Sequence, residues 1–363
     1  MFSKKNKEQN KEKEVLLAIL AKIQNPITGK PLSSEPIEIS RQEDGRILVK
    51  IPFAADRPAQ LSVEAQIRTA WASSPLKKEK LKIEFPPAKK PANPMGIPPA
   101  KRLSSVKKVI AISSGKGGVG KSTVTIHLAA ALYKQGFKVG VLDADIYGPS
   151  LGKMIGQEGK AALKIINDKI IPYDFHGIKL MSFSFFLDTG QAVVWRGPML
   201  GKALEQFLFD IDWGELDFLL VDMPPGTGDA HLSMAQLTEV DGAIIVTTPQ
   251  EVAVLDAERS VNMYQQVNIP IIGVIENMSE FICPHCSNTS EIFSRGGGSK
   301  LAEKTKSPLL SQIPLTLSLM KASESGSPLT LQEKTDDDTS SRVIEAFQQA
   351  SSALQKLLAV NTP

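Results

Sequence analysis

The chain has 363 residues, of which 42% are hydrophobic and 22% charged, a composition typical of globular proteins rather than disordered or fibrous ones. Its formal charge of +3 hides an asymmetry, because residues 1–108 carry 22 basic and 11 acidic side chains whereas the remainder is acidic. The front lysines are scattered without interleaved aromatic residues, which favours a solvated tail and linker over a nucleic-acid surface. The sequence shows no secretory signal and no apolar run of about 18 residues, so we expect a cytoplasmic protein that binds neither nucleic acid nor a membrane.

The first elements in chain order predict a small α+β domain over residues 1–85 with a basic N-terminal tail. Apolar spacing predicts helices in EVLLAILAKI and LSVEAQIRTAW, and strands in RILVKIPF and KLKIEF. Residues 86–99 contain six prolines in fourteen positions. We therefore expect an extended, proline-rich linker over residues 86–105.

After the linker, from residue 106 to 363, apolar strands alternate with helices. The predicted strands are KKVIAISS, KVGVLD, DFLLVDMP, GAIIVTTP and PIIGVIENM. Continuous apolar runs are typical of strands that are buried on both faces. The predicted fold class is therefore α/β, with a doubly wound, mostly parallel sheet.

The last segment, residues 342–358, has one apolar helical stripe, which comprises Val343, Phe347, Ala350, Leu354 and Leu357. The polar face of this helix carries few basic residues. We therefore expect the stripe to pack against the sheet rather than to bind a membrane.

The sequence GKGGVGKS, residues 115–122, fits the G-x-x-x-x-G-K-[ST] motif between a predicted strand and a predicted helix. In this motif the glycines let backbone N–H groups close around phosphate oxygens, Lys121 neutralises β- and γ-phosphate charge, and Ser122 ligates Mg²⁺. The motif makes the predicted sheet one of P-loop NTPase type. The predicted nucleotide-binding residues of the loop are Gly115, Lys116, Gly117, Gly118, Val119, Gly120, Lys121, Ser122 and Thr123.

Carboxylates lie at the ends of two predicted strands that should flank this loop. Asp143 and Asp145 end one strand, and Asp222 ends another. Such carboxylates can hold Mg²⁺ or orient the attacking water, or they can simply cap the following turn. The role of Asp143 stays open.

The chain has two cysteines, Cys283 and Cys286, in the sequence CPHC. This spacing brings two sulfurs onto one zinc ion or iron–sulfur cluster, but each needs four ligands, so one chain supplies half the set. A symmetric dimer would supply the other half at its two-fold axis. A shared [4Fe–4S] cluster, a shared zinc ion, and redox-active or inert thiols all remain open.

Taken in order, GKGGVGKS, DADIYGPS, VDMPPGTGD, ENMS and CPHC resemble the Mrp/ApbC family of P-loop ATPases, which are iron–sulfur cluster carriers, over residues 104–335. The extra lysine, Lys116, resembles that of the deviant Walker A motif in the MinD/ParA class. The resemblance implies that Lys116 reaches the nucleotide of a partner subunit, although a solvated loop lysine is the alternative. It also implies that Asp145 is the catalytic switch aspartate, that Asp222 is the Mg²⁺ partner and that Asn277 reads adenine.

The function implied by the resemblance is that of an ATP-hydrolysing carrier. It would bind ATP and Mg²⁺, use Lys116, Lys121 and Asp145 in catalysis, and hold a [4Fe–4S] cluster on Cys283 and Cys286 across a homodimer. A cluster assembly scaffold would be the donor, and apo iron–sulfur proteins would be the recipients.

Three further resemblances qualify this function. The front domain resembles the MIP18 type only loosely, because NPITGKPL stands where that domain usually has an Asp-Pro-Glu motif, and no cysteine precedes Cys283. The alternative function is a ParA/MinD-type positioning ATPase with a zinc or thiol site, although the sequence lacks a basic amphipathic tail and clustered arginines. A reductase resembling the nitrogenase iron protein is disfavoured because the cluster cysteines of that family are widely separated.

Overall fold

The computed structural model describes residues 12–25, 28–42, 46–52, 57–77, 79–86, 100–157, 159–186, 188, 197–332 and 338–360. The chain divides into two compact units, Met1–Met95 and Gly96–Pro363. The predicted basic tail before residue 12 and most of the predicted proline-rich linker lie outside the described residues. Among the described residues, no helix combines the length and the apolar character needed to cross a bilayer.

The first unit is a small α+β fold. Its elements are helix α1 (12–20), a 3₁₀ turn (Leu32–Ser34), strand β1 (Glu38–Arg41), strand β2 (Ile47–Lys50), helix α2 (Arg57–Ala72) and strand β3 (Leu81–Glu84). Strand β2 pairs antiparallel with β1 and parallel with β3, and α2 makes the crossover that a parallel pair requires. Apolar side chains from both helices and the sheet form one core, which includes Leu16, Leu20, Ile47, Ile67 and Trp71.

The second unit holds the remaining elements. Its strands are β4 (Val106–Ser114), β5 (Val139–Asp143), β6 (Ile165–Ile166), β7 (Lys169–Ile170), β8 (Tyr173–Phe175), β9 (Ile178–Ser182), β10 (Leu216–Asp222), β11 (Gly242–Thr247), β12 (Ile271–Ile282), β13 (Thr289–Ser290) and β14 (Leu309–Leu315). Its α-helices are α3 (Lys121–Lys134), α4 (Leu151–Met154), α5 (Gly197–Phe209), α6 (Asp229–Leu237), α7 (Glu251–Gln266), α8 (Gly297–Thr305), α9 (Leu317–Glu324) and α10 (Asp338–Leu358). Short 3₁₀ turns span Phe183–Phe186 and Leu329–Leu331.

The large sheet has the order β12-β11-β4-β10-β5-β9, parallel throughout, with β14 added in parallel to β12. Strands β8 and β13 pair antiparallel at the two ends. Every residue of β10 and of β11 is buried, which follows from helices on both faces. The predicted doubly wound α/β fold is therefore confirmed.

The connections after β4 and β10 leave in opposite directions, although these strands are neighbours. Helix α3 leads from β4 towards β5, and α6 leads from β10 across to β11 on the other side of β4. The carboxyl ends of such neighbours open a crevice where ligands bind in this class of sheet.

The C-terminal helix α10 packs on the sheet through the predicted stripe. Val343, Phe347, Ala350 and Leu354 are buried and Leu357 is partly buried against the same core. The helix contacts α3 and β14. The prediction that this stripe packs on the sheet is confirmed.

Candidate functional site

The phosphate loop joins β4, which ends at Ser114, to α3, which begins at Lys121. Gly118 and Gly120 both have φ of 80°, a left-handed conformation that disfavours any side chain. A methyl group added to Gly115 would lie 2.0 Å from the backbone carbonyl carbon of Asp256 in α7. Glycine is thus required at these positions by the path of the loop itself.

The first turn of α3 and the end of β10 form a buried polar cluster. The Lys121 Nζ lies 2.8 Å from Asp222 Oδ1, with the two side chains 6% and 0% exposed. Ser122 Oγ donates to Asp222 Oδ2 at 2.5 Å, and Thr125 Oγ1 lies 2.9 Å from Asp222 Oδ1. The ammonium and the hydroxyls compensate a carboxylate that would be costly to bury alone.

This cluster has the donor set that Mg²⁺ prefers. The Ser122 hydroxyl and the Asp222 carboxylate converge, and both present hard oxygen atoms. The two residues therefore fit the ion, and their role as its ligands stays a prediction.

Asp143 lies beside this cluster because β5 and β10 pair with Asp143 opposite Asp222. Its Oδ2 accepts from Ser182 Oγ at 2.8 Å, and its Oδ1 accepts from the backbone N–H of Asp145 at 3.2 Å. Burial, followed by repulsion from Asp222, raises the pKa of Asp143 to about 7. Asp143 thus anchors the start of the loop that carries Asp145.

Asp145 is the partly buried carboxylate of that loop. Its Oδ1 accepts from the backbone N–H of Gly148 at 3.2 Å. Burial raises the pKa of Asp145, against an opposing attraction to Lys121. The structure therefore brings Asp145 into the field of the phosphate loop, and its catalytic role stays a prediction.

Asn277 contacts the phosphate loop directly. Its Nδ2 donates to the carbonyl of Val119 at 2.8 Å, and the residue is 3% exposed. A methyl group on Gly120 would lie 2.2 Å from that nitrogen, so glycine leaves room for the amide. The structure thus places Asn277 against the loop, and adenine recognition stays a prediction.

Lys116 stands half-buried within the same loop. Its carbonyl accepts from Ser114 Oγ at 3.0 Å, which ties the loop to the end of β4. Its action on a partner's nucleotide stays a prediction.

The two cysteines lie at the tip of a hairpin. Strand β12 continues past Asn277 through Met278, which has φ of 55°, and its register with β14 shifts between Asn277 and Phe281. Beyond the shift it pairs antiparallel with β13, with Ile282 opposite Thr289. The CPHC sequence is thus the turn between β12 and β13, on a different loop from the phosphate site.

The geometry of this turn favours a thiolate at Cys283. The backbone N–H groups of His285 and Cys286, followed by the Cys286 thiol, hydrogen-bond to its sulfur and lower the pKa of Cys283. The thiolate is the form that binds metals. Cys283 is half-buried and Cys286 is exposed. Within the described ranges, no group of three or more His, Cys, Asp or Glu side chains could hold a metal.

Three polar residues of this region were not singled out by the sequence. Thr125 lies one turn after Lys121, and that spacing on a predicted helix could have identified it. Ser182 meets Asp143 only because β9 pairs with β5. Buried Glu276 accepts from the Gly298 N–H at the start of α8 and from Gln312 Nε2, contacts that no local pattern reveals.

A match to the sequence model of a protein family identifies the family of this chain. The model described as "ParA: NUBPL iron-transfer P-loop NTPase" matches residues 105–352. The chain belongs to this family. The predicted resemblance to P-loop ATPases of the iron–sulfur carrier type is confirmed, as is the predicted enzyme class, a P-loop ATPase.

Relatives of this ParA-family chain carry a consistent name. A protein of Deinococcus radiodurans named "Iron-sulfur cluster carrier protein" is 45% identical over 275 residues, which cover 76% of each chain. A Helicobacter pylori protein of the same name is 41% identical over 309 residues, which cover 85% of this chain and 82% of the relative.

Solved structures agree with this assignment. A nucleotide-binding protein of Archaeoglobus fulgidus in complex with ADP matches with a TM-score of 0.56 and 40% identity, over 65% of this chain and 92% of that one. The cell division ATPase MinD of Pyrococcus furiosus matches with a TM-score of 0.51 and 23% identity, over 69% and 99%, and it supports the fold alone.

Proposed function

We propose that this ParA-family NTPase is an ATP-hydrolysing iron–sulfur cluster carrier that holds a [4Fe–4S] cluster between two copies of the chain and transfers it to apo-proteins. The observation that carries the proposal is the CPHC turn, in which two backbone N–H groups point to the sulfur of Cys283 at an exposed hairpin tip. The name shared by the relatives supports it.

The cluster is the cargo of the carrier and needs four thiolates. One hairpin offers two sulfurs, so two copies related by a two-fold axis complete the set. Because the turn is exposed, a second hairpin can approach it without unfolding either chain. A cluster held only at a subunit interface is released when the interface opens, which suits a carrier.

Exposed apolar side chains on α7 support a homodimer. Val252 and Leu255 are 64% and 52% exposed on this helix, whereas Ala253 and Ala257 on its other side are buried. The same helix passes the phosphate loop at Gly115. A subunit interface over α7 would cover these side chains and bring Lys116 of each chain towards the other subunit's nucleotide.

Within each subunit, different residues would have different roles in phosphoryl transfer. Lys121 would neutralise phosphate charge, and Ser122 and Asp222 would hold Mg²⁺, which supplies further neutralisation. Asp145 would orient the attacking water, and Asn277 would contact the base. Positioning of this kind supplies most of the catalysis in phosphoryl transfer.

Hydrolysis would time cluster release. The loop after β5 and the segment after Asp222 both begin at carboxylates of the nucleotide site, so loss of the γ-phosphate would relax them and loosen the interface. A cluster assembly scaffold as donor, apo iron–sulfur proteins as recipients and a cytoplasmic location complete the proposal.

Anaerobic reconstitution with iron and sulfide tests the cargo. We expect about four iron and four sulfide per dimer, measured together with zinc content and solution mass. Cys283→Ala should lose the cluster and keep ATP binding, whereas His285→Ala, at the exposed centre of the same turn, should keep both. Lys121→Ala should lose nucleotide binding and keep the cluster. A fully loaded Cys283→Ala protein would contradict the bridging arrangement, and zinc alone would favour a positioning ATPase.

A further inference from the structure

The segment that follows Asp222 is connected to α7 through a buried histidine. His231, in the first turn of α6, is 1% exposed, and its Nε2 lies 3.1 Å from the carbonyl oxygen of Pro224. Its Nδ1 lies 2.9 Å from the hydroxyl of Tyr264, which is also 1% exposed and belongs to α7. The imidazole therefore bridges the segment 223–228 and the helix behind it.

The chemistry of the three groups fixes the direction of both hydrogen bonds. A carbonyl oxygen can only accept, so the Nε2 of His231 carries the proton and donates to Pro224. Nδ1 then has a lone pair and accepts from the Tyr264 hydroxyl. Burial lowers the pKa of His231 to about 4 and raises the pKa of Tyr264, so both groups stay neutral at physiological pH. The bridge has one defined tautomer.

Helix α7 also contacts the nucleotide site at other points. Gly115 lies against the backbone of Asp256, where no side chain would fit. Ser260 Oγ donates to the carbonyl of Gly226 at 3.4 Å, and the Gly226 N–H donates to the carbonyl of Ser114 at 2.9 Å. The segment 223–228 is thus held between the end of β4 and α7. His231 is hydrogen-bonded to this segment near its start, at Pro224.

We propose that His231 and Tyr264 are positioning residues for ATP hydrolysis. By fixing the carbonyl of Pro224, they hold the segment that begins at Asp222 in one position relative to α7 and the phosphate loop. Neither side chain contacts the phosphate loop in the described hydrogen bonds, so they act through the backbone of this segment. The inference rests on the ATPase activity and not on the iron–sulfur cargo.

Loss of the bridge should lower kcat more than it raises KM. Nucleotide affinity depends on the glycine loop and Lys121, and the hydrogen bonds of His231 and Tyr264 in the described part of the chain do not involve these residues. Catalysis depends on the exact placement of Asp222 and the residues after it, and a displacement of about 1 Å near reacting groups can cost up to 100-fold in rate. We expect Tyr264→Phe to lower kcat about 5- to 50-fold and to change KM and ADP affinity less than about twofold.

The experiment compares conservative variants of the full-length chain. Tyr264→Phe removes one hydroxyl and keeps the packed ring, and Tyr173→Phe, in β8, is the matched control. His231→Leu removes both hydrogen bonds, whereas His231→Gln keeps an N–H group that can reach the Pro224 carbonyl and should recover most of the lost kcat. Steady-state hydrolysis, ADP calorimetry and urea unfolding are measured for each variant.

The tautomer provides a readout that does not depend on activity. Nitrogen-15 spectra should show a neutral His231 with its proton on Nε2, and Tyr264→Phe should shift the Nδ1 resonance. The other buried histidine, His127, gives an internal reference of opposite tautomer, because its Nδ1 faces the Thr123 carbonyl and its Nε2 accepts from the Leu329 N–H.

Three results would overturn the inference. They are an unchanged kcat in Tyr264→Phe, a joint loss of kcat and ADP binding, which indicates a general structural role, and a His231 tautomer with the proton on Nδ1. Failure of the proposed function would be seen separately, as a wild-type chain that does not hydrolyse ATP or does not hold a cluster.

Discussion

Replacement of Asp143 by asparagine should stabilise the large unit, and the gain should grow as the pH rises. The carboxyl group is fully buried opposite Asp222, and its pKa is raised from 3.8 to about 7. Between these two values the folded chain binds a proton that the unfolded chain has already released, so the free energy of unfolding falls as the pH rises. An asparagine carries no charge and escapes this loss.

The magnitude follows from the two pKa values. Each unit is worth about 1.4 kcal/mol, so between pH 5 and pH 7 the wild type should lose roughly 2 kcal/mol that Asp143→Asn retains, and slightly more by pH 8. The amide can also keep two of the three local contacts, because its Nδ2 can donate to Ser182 Oγ and its Oδ1 can accept from the Asp145 N–H, and it loses only the long hydrogen bond of 3.4 Å that Oδ2 accepts from the Leu151 N–H. We therefore expect the variant to gain roughly 2–3 kcal/mol on the wild type between pH 5 and pH 8.

Urea unfolding of the full chain without added nucleotide, at pH 5, 6.5 and 8, measures this gain. Asp217→Asn is the control of opposite sign. Although burial alone raises the pKa of Asp217, hydrogen bonds from Lys107 and from the Lys138 backbone outweigh it and lower the pKa. The stabilisation that the ionised Asp217 carboxylate provides is complete above the pKa of an aspartate in the unfolded chain. Asp217→Asn should therefore be less stable than the wild type by the same amount at every pH from 5 to 8. A gain for Asp143→Asn that does not grow with pH would show that Asp143 does not stay protonated in the folded chain.

Four other substitutions test the phosphate loop, the core and the proposed interface of the large unit. Gly115→Ala should lose nucleotide binding in calorimetry because its methyl group would meet the α7 backbone, whereas Gly201→Ala, in α5, whose added carbon would lie 3.4 Å from its nearest neighbour, Ser233 Oγ, should retain the affinity. Phe347→Ala should lower the free energy of unfolding by about 3–5 kcal/mol in urea titrations, since the ring is fully buried. Leu255→Glu should shift sedimentation profiles towards the monomer at unchanged ADP affinity, and an unaltered dimer would place the interface elsewhere.

The sequence predicted those features that depend on local pattern. The helix predicted directly after the phosphate loop spans Lys121–Lys134, with Gly136 in a left-handed conformation after it. Apolar runs identified the central strands because β5, β10 and β11 are buried along their whole length. Glycines and apolar spacing carry this information within a few residues of each element.

Local sequence patterns could not predict which side chains meet from strands that are distant in the sequence. The neighbourhood of Asp143 is set by the order of β9, β5 and β10, which brings Ser182 and Asp222 to it from opposite sides. The hairpin that carries CPHC depends on β13, which has only two residues. The bridge at His231 was missed for the same reason, since Tyr264 lies 33 residues further along the chain.

One strand joins the two functional regions of this protein. Asn277 contacts the phosphate loop through Val119, and Cys283 follows six residues later along the same chain segment. At about 3.3 Å per residue, that path is about 20 Å, and it contains the register shift at Met278. A carrier whose nucleotide controls its cargo needs a physical connection between the two sites. Strand β12 provides a covalent path whose Asn277 is hydrogen-bonded to the phosphate loop, and the proposed carrier would use this path to couple the nucleotide to the cysteines.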